Sequence, residues 1–291
     1  MNFLQRVIER WRSRRLSEAE SLPAPSGGAR YDTGGGSRDE VDRHSADLGE
    51  SGSPAVVLAS QGECPTCCQP ARFVARDAWL RDHFLCENCG SLPRERALMA
   101  VIEQFRPDWR DCVIHESSPA PRGASLLLAR ECAQYLPTQF YPGQTPGTRV
   151  DGVRCENLEA LTFDDASIDL HITQDVFEHL FDPDVAAREI ARTLKPGGMH
   201  IFTVPLVHRH RASVCRALRS PDGDIEYQLP PEYHGNPVSN EGSLVTFDWG
   251  FDICERLHAA CGLYTHIVQI DDLSRGIRAE LNEVLVTVRP S

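Results

Sequence analysis

Lysine is all but missing. Of 30 basic residues only Lys195 is lysine, so an imine-forming lysine has a single candidate. That candidate sits in a Lys-Pro-Gly-Gly turn, a poor place to desolvate an amine. Long apolar runs are missing too, and no stretch approaches the roughly 20 residues that a membrane-spanning helix needs. Positive charge is in deficit: acids outnumber bases 42 to 30, for a formal net charge of −12. This speaks against a nucleic-acid binder, whose phosphate affinity comes mostly from Lys and Arg. Residues 1–15 are broken by charge and carry no continuous apolar core, so no secretory signal is expected and a cytoplasmic setting is. The rest is ordinary for a globular protein, with 41% hydrophobic and 25% charged residues in 291. At about 150 residues per domain this length suits roughly two domains.

Cysteine, by contrast, is plentiful. Four of the 11 make a pattern, Cys64-Pro-Thr-Cys67 and Cys86-Glu-Asn-Cys89, with eighteen residues between the pairs. This is the spacing of a structural zinc site, in which two tight knuckles each present two thiolates and four ligands close the tetrahedron. Gly90 follows the second knuckle, where a left-handed residue is often needed. Cys68 holds the matching place in the first and reads as a spare thiol or an alternative ligand. Two disulfides, or plain reduced thiols, are the competing readings. An odd number of cysteines suits a reducing compartment. Cys112, Cys132, Cys155, Cys215, Cys254 and Cys261 are scattered and read as small buried apolar residues.

The chain divides into four stretches. Residues 1–16 carry Phe3, Leu4, Val7, Ile8 and Trp11 at helical spacing among arginines. They are expected to form an amphipathic helix suited to an anionic membrane surface or a partner's groove. Residues 17–54 are rich in Gly, Ser, Pro and acids and are expected to be a disordered linker. Residues 55–98 hold the cysteine module, and its end runs into a helix reaching about Phe105. Residues 99–291 alternate strands and helices. Strands are expected over 111–116, 139–141, 150–154, 168–173, 199–204, 265–270 and 283–288, with helices over 122–132, 183–194 and 248–261. Asp182 then Pro183 opens the clearest helix, as an N-cap followed by proline in the first turn. Such alternation means a doubly wound, mostly parallel sheet with helices on both faces. The last two strands, with no helix between them, suggest an antiparallel pair at the sheet edge. His171, inside a buried strand, is expected to be a hydrogen-bonded core histidine. A long insertion, about 206–247, follows the fifth strand.

In such a sheet a ligand lies beyond the carboxyl ends of the strands. There the sequence places His115, Glu116, Ser117 and Ser118, then Cys155, Glu156, Asn157 and Leu158, then Gln174, Asp175, Glu178 and His179. Acids and amides on one edge suit a ligand with hydroxyls, an amine and an adenine-like ring.

The stretch from Phe163 to Pro205 resembles class I S-adenosylmethionine-dependent methyltransferases, specifically the type 11 branch. The resemblance rests on Ile168-Asp-Leu-His-Ile-Thr-Gln-Asp175-Val-Phe-Glu178-His179, Glu189-Ile-Ala-Arg-Thr-Leu-Lys195-Pro-Gly-Gly198 and Ile201-Phe-Thr-Val-Pro205 together. A cysteine module followed by Ser91-Leu-Pro-Arg-Glu-Arg-Ala-Leu98 is similar to a bacterial subgroup with a zinc ribbon before this domain. The resemblance implies a seven-stranded sheet with the last strand antiparallel. It also implies S-adenosylmethionine as cofactor: the loop from Glu116 through Ser117, Ser118 and Gly123 faces the methionine end, Asn157 and Leu158 meet adenine, and Gln174 and Asp175 line the other side. Two departures stand out. The usual glycine-rich loop after the first strand keeps only Gly123, and no acid ends the second strand to hold a ribose.

Methyl transfer needs positioning above all, and a base only when the nucleophile carries a proton. Candidate bases are His179, at the cofactor edge, and His234 in Pro-Pro-Glu-Tyr-His234-Gly-Asn236, within an insertion of the kind that forms substrate lids. His208-Arg-His-Arg211 is a basic patch at the mouth of that insertion, read as an anion-receiving site or a solvated loop cluster. The expected acceptor is a small molecule or a glycan. The rivals are an RNA methyltransferase, which the acidic charge opposes, and a binding protein that kept the fold and lost the cofactor.

Overall fold

The computed structural model describes residues 55–235 and 241–291. The expectations for 1–16, for 17–54 and for Asn236 lie outside the described residues. The cysteine module is a small antiparallel sheet of β1 (Leu58–Cys64), β2 (Gln69–Ala75) and β3 (Leu85–Cys86), with one helical turn, α1 (Leu80–His83). The knuckles are equivalent turns: Cys68 N–H donates to Cys64 O and Gly90 N–H to Cys86 O, both at 2.8 Å, with φ of +54° and +68° at Cys68 and Gly90. Phe73 and Phe84 fill the space behind the thiols.

The first long helix, α2 (Pro93–Phe105), begins with proline in its first turn and Glu95 two residues later. The Glu95 carboxylate accepts from Leu92 N–H at 2.9 Å, satisfying one otherwise orphaned donor. After it come β4 (Ile114–Ser117), α3 (Gly123–Glu131), β5 (Tyr135–Gln139), β6 (Arg149–Val150), β7 (Val153–Cys155), β8 (Ile168–Gln174), α4 (Pro183–Thr193) and β9 (Leu194–Thr203). Small strands β10 (Val214–Cys215), β11 (Ala217–Arg219), β12 (Ile225–Tyr227), β13 (Tyr233–His234), β14 (Ser243–Leu244) and β15 (Phe247–Asp248) pair among themselves in the insertion. Then α5 (Ile253–Cys261), β16 (Tyr264–Val268) and β17 (Val284–Val288) complete the chain.

The main sheet has eight strands in the order β16-β17-β9-β8-β4-β5-β7-β6. β9, β8, β4, β5 and β7 run parallel, and β17 is antiparallel to both its neighbours. The antiparallel final pair is as expected, but β17 lies inside the sheet and β16 is the edge. The eighth strand is the correction to seven. Residues 150–154 are not one strand but a tight hairpin, because Asp151 and Gly152 both take positive φ, +52° and +87°. β5 begins four residues earlier than expected, since Pro137 in its middle hid the pattern. α5 starts only at Ile253, because Phe247 and Asp248 pair with β10.

One face of the sheet packs on α2, α3 and Trp109, the other on α4, α5 and Trp249. Between these layers His171 is fully buried, as expected of a core histidine. Its Nδ1 meets His115 Nδ1 at 2.8 Å and its Nε2 meets Thr193 Oγ1 at 2.8 Å, while His115 Nε2 reaches Thr138 Oγ1. The sole lysine is also accounted for: Lys195 Nζ lies 2.7 Å from Asp169 Oδ2, which accepts from Val113 N–H as well. No helix among the described residues is long and apolar enough to cross a membrane.

Candidate functional site

The parallel strands β4, β5, β7 and β8 end together on one edge. After β4 the chain turns at Ser118, with φ +55°, and reaches Gly123, φ +59°, which opens α3. Ser117 is buried beneath the turn. A Cβ placed on Gly123 would lie 2.4 Å from Glu95 Oε2. The missing side chain is therefore replaced by a carboxylate from α2, which Arg122 Nε holds at 2.8 Å.

Glu116, expected at the methionine end, spends both oxygens inside the fold. Ser125 Oγ and Gln174 Nε2 donate to Oε1 at 2.6 and 2.8 Å, and Tyr135 Oη donates to Oε2 at 2.6 Å. Burial raises its pKa against the pull of these donors. Glu116 thus ties β4, α3, β5 and β8 together, and Gln174 serves it rather than facing outward. At the other end of the edge Asn157 Oδ1 accepts from Glu159 N–H at 3.0 Å, closing its own turn, and Leu158 is buried. Phe140, directly after β5, is an exposed ring, 42% accessible, beside the end of β7. The sequence offered a signal for it in an apolar residue ahead of Tyr-Pro-Gly.

Asp175, φ +51°, is the hub of the next group. Arg81 Nη2 and Arg94 Nε both lie 2.9 Å from its Oδ2, and Thr203 Oγ1 donates to Oδ1 at 3.0 Å. Burial alone would raise its pKa, but the two guanidinium groups hold it below the usual carboxylate range. Both arginines come from the cysteine module and the start of α2. Sequence reasoning had no means to bring residues 94 apart to one point.

Beside this hub the insertion closes on the segment after β8. Thr246 N–H and Oγ1 donate to Glu178 O at 2.7 and 3.0 Å, and His179 Nδ1 pairs with Leu244 O at 2.8 Å. This closure brings His234 to His179, with ring centroids 5.4 Å apart at 87°. The two histidines that sequence reasoning singled out therefore share one place. Burial lowers the His179 pKa to about 4, so its ring is neutral at pH 7. Glu178 is buried, with its pKa pushed well up by desolvation and then by the neighbouring Asp175 charge. His208-Arg-His-Arg211 is largely solvated, with His208 Nδ1 on Ala212 O at 2.8 Å.

The four cysteine thiols of the module converge within 4.8 Å of one another. The Cys64–Cys89 Sγ separation is 3.8 Å. A tetrahedron with metal–sulfur bonds of about 2.3 Å has edges of about 3.8 Å, so the donor set fits a zinc ion. Thr66 Oγ1 lies 3.2 Å from Cys64 Sγ and Ser91 Oγ lies 3.2 Å from Cys89 Sγ, so two hydroxyls surround the sulfur cluster. Arg96 is fully buried beside the cluster, cradled by Phe84 O, Ser91 O and Gly276 O. Burial brings its pKa down to about 10, so it stays cationic and offsets the thiolate charge. Cys68 is exposed and outside the cluster.

The profile of a family described as a methyltransferase domain matches residues 125–202, which hold α3 through most of β9. The chain carries a methyltransferase domain. No curated relative matches the chain. Among solved structures, an S-adenosylmethionine-dependent methyltransferase from Mesorhizobium loti is 15% identical, with TM-score 0.42 over 66% of this chain and 97% of its own. An amino pentose methyltransferase from Micromonospora echinaspora, bound to S-adenosylmethionine, is 13% identical, with TM-score 0.44 over 69% and 92%. A didemethyltoxoflavin methyltransferase from Burkholderia thailandensis is 15% identical, with TM-score 0.40 over 68% and 79%. Similarity at this level concerns the fold and not the chemistry.

The edge of the methyltransferase domain fits S-adenosylmethionine in charge. The molecule carries a sulfonium, an ammonium and a carboxylate, and the strand ends here are rich in acids, although Glu95 beside Gly123 is already bonded to Arg122 and to Leu92 N–H. The exposed Phe140 ring and the Asn157 turn stand where a flat base could lie.

Proposed function

We propose that the protein is an S-adenosylmethionine-dependent methyltransferase acting on a small-molecule or glycan-type acceptor. The observation that carries this reading is the meeting of His234 from the insertion with His179 after β8, at the strand-end edge of a methyltransferase domain. The bound cofactor supplies an activated methyl group, and the protein's task is placement. Ser117, Ser118 and Gly123 give a close-approach wall for the methionine end. Asn157, Leu158 and Phe140 hold the opposite end. Glu116 and Gln174 keep that wall rigid from beneath, and Asp175 sets the position of Arg81 and Arg94. His234 receives the acceptor's proton, because the His179 ring, with its pKa near 4, is too weak a base for an alcohol. Cys64, Cys67, Cys86 and Cys89 hold a structural zinc ion with no open position for water.

A reducing, cytoplasmic setting suits so many free thiols. Nucleic acid is set aside on charge, and any membrane or protein contact falls to residues 1–16.

A second reading is a binding protein that has given up the cofactor. It is favoured by Glu95 taking the space at Gly123 and by the two arginines closing on Asp175. Transfer of labelled methyl from S-adenosylmethionine to a panel of sugars and small hydroxylated or aminated acceptors tests the first reading. His234→Ala is expected to lose turnover and keep its affinity for S-adenosylhomocysteine. Full activity in that variant removes His234 from the mechanism, and no transfer to any acceptor favours the second reading.

A further inference from the structure

Glu178 is the anomaly of the site. Its side chain is 1% exposed, yet neither carboxylate oxygen has a hydrogen-bond partner. Burying a carboxyl group without partners is costly, and more so when it is charged. Such a group calls for something to coordinate.

What faces it is a pair of imidazoles. One ligand atom each from Glu178, His179 and His234 can be chosen so that all lie within 4.8 Å of one another. His179 Nε2 lies 3.8 Å from Glu178 Oε1. The bond of His179 Nδ1 to Leu244 O places the ring proton on Nδ1, because a carbonyl only accepts, and leaves the Nε2 lone pair toward Glu178. A backbone carbonyl on the far nitrogen is the usual support of a metal-ligating histidine. His234 has a carboxylate of its own: Glu232 Oε1 lies 3.6 Å from its Nε2, and Glu232 is held by Arg216 at 3.2 Å. The backbone of Glu178 is pinned by Thr246, so the carboxylate is presented from a fixed base.

We propose that Glu178, His179 and His234 form a second metal site, taking a divalent first-row transition ion on two imidazoles and one carboxylate. This donor set suits Zn²⁺ or Fe²⁺ better than Mg²⁺ or Ca²⁺, which favour all-oxygen shells. Three protein ligands leave positions open, unlike the closed thiolate set of the ribbon. The proposal deepens the function proposed above and rests on it for one point, that the acceptor lies on the His234 side; with the ion bound, the His234 lone pair is spent on the metal, and an acceptor hydroxyl acidified by the ion would lose its proton to solvent instead of to His234. There the open positions would take a hydroxyl or carboxylate oxygen of the acceptor.

The test is metal content of the whole chain. Protein is dialysed against buffered Zn²⁺, freed of unbound ion, and assayed by elemental analysis. Two ions per chain are expected for the wild type and one for His234→Ala and for Glu178→Gln. His234 lies on a part-exposed hairpin, so its variant leaves the fold in place. Loading with Co²⁺ separates the two sites by colour, because only the ribbon gives intense thiolate charge-transfer bands. The second equivalent is expected to lack them. One ion per chain in the wild type, or a second ion kept by both variants, overturns the site. If the second ion is absent while His234→Ala still loses turnover with cofactor affinity intact, this inference fails and the methyltransferase reading stands.

Discussion

Replacing Asp175 by Asn keeps size and the left-handed backbone, which Asn tolerates well, and removes the charge at the centre of the hub. Arg81, Arg94 and Asp175 have side chains only 7%, 16% and 23% exposed, so water screens them weakly. With charge centres about 4 Å apart and an effective dielectric near 20, each attraction is worth about 4 kcal/mol before desolvation. Asp175 holds two such attractions against one repulsion between the arginines, a repulsion that the half-exposed Asp82, 2.7 Å from Arg94 Nη1, only partly offsets. In Asp175→Asn both attractions go and the repulsion stays. Breaking a buried pair from one side costs about 3–5 kcal/mol in measured cases, and the expectation here is about 3–4. Removing one arginine, as in Arg81→Leu, leaves a neutral pair and is expected to cost about 1–2 kcal/mol on the same scale. Urea unfolding with zinc held saturating measures both. Because the arginines belong to the cysteine module and α2, the Asn variant is also expected to show faster hydrogen exchange around α1. A loss below about 1 kcal/mol for Asp175→Asn, or an equal loss for Arg81→Leu, refutes the claim that this hub clamps the ribbon to the site.

Three further outcomes follow from the same geometry. If the four thiols hold a structural zinc ion as proposed, a chelator, or Cys86→Ser, is expected to lower the melting temperature sharply, since Arg96 would be left buried beside disordered thiols; an unchanged melting curve contradicts the structural-metal role. Burial lowers the pKa of His115 and His200 to about 3, and His171 falls well below its usual value. Folded values below the unfolded value near 6.5 mean stability present above pH 6.5 and lost as pH falls toward 3, at about 1.4 kcal/mol per pH unit for each ring. Glu116 and Glu178, with raised pKa, act in the opposite sense. His200→Gln should therefore flatten the wild-type slope between pH 5 and 6.5 by about 1.4 kcal/mol per unit, read from urea melts, and an unchanged slope rejects the assignment. Gly123→Ala meets Glu95 Oε2 at 2.4 Å from a φ of +59°, and is expected to cost about 2 kcal/mol of stability. A neutral result in urea melts means that Glu95 moves freely.

The layers of the fold were legible because α4 announces itself with Asp182 and Pro183, and because apolar strands alternate with it. The convergence of Cys64, Cys67, Cys86 and Cys89 was legible because their paired spacing survives any fold. What stayed hidden was long range or local in a way that hydropathy does not record. The Asp151-Gly152 hairpin was masked by treating five residues as one strand. Glu116 looked like a ligand-facing acid because it ends a strand, yet Ser125, Tyr135 and Gln174 reach it from three separate elements. Arg81 and Arg94 could not be assigned to Asp175 from sequence, since their meeting depends on how the ribbon packs. His179 and His234 were each nominated on loop position, and only the pairing of β13 with β14 brings them to one place.

Calorimetric titration of the zinc-loaded chain with S-adenosylhomocysteine measures whether the edge between Gly123, Asn157 and Asp175 holds the cofactor. Saturable binding of one molecule per chain is expected. A flat trace at millimolar ligand, on protein shown to be folded, contradicts it.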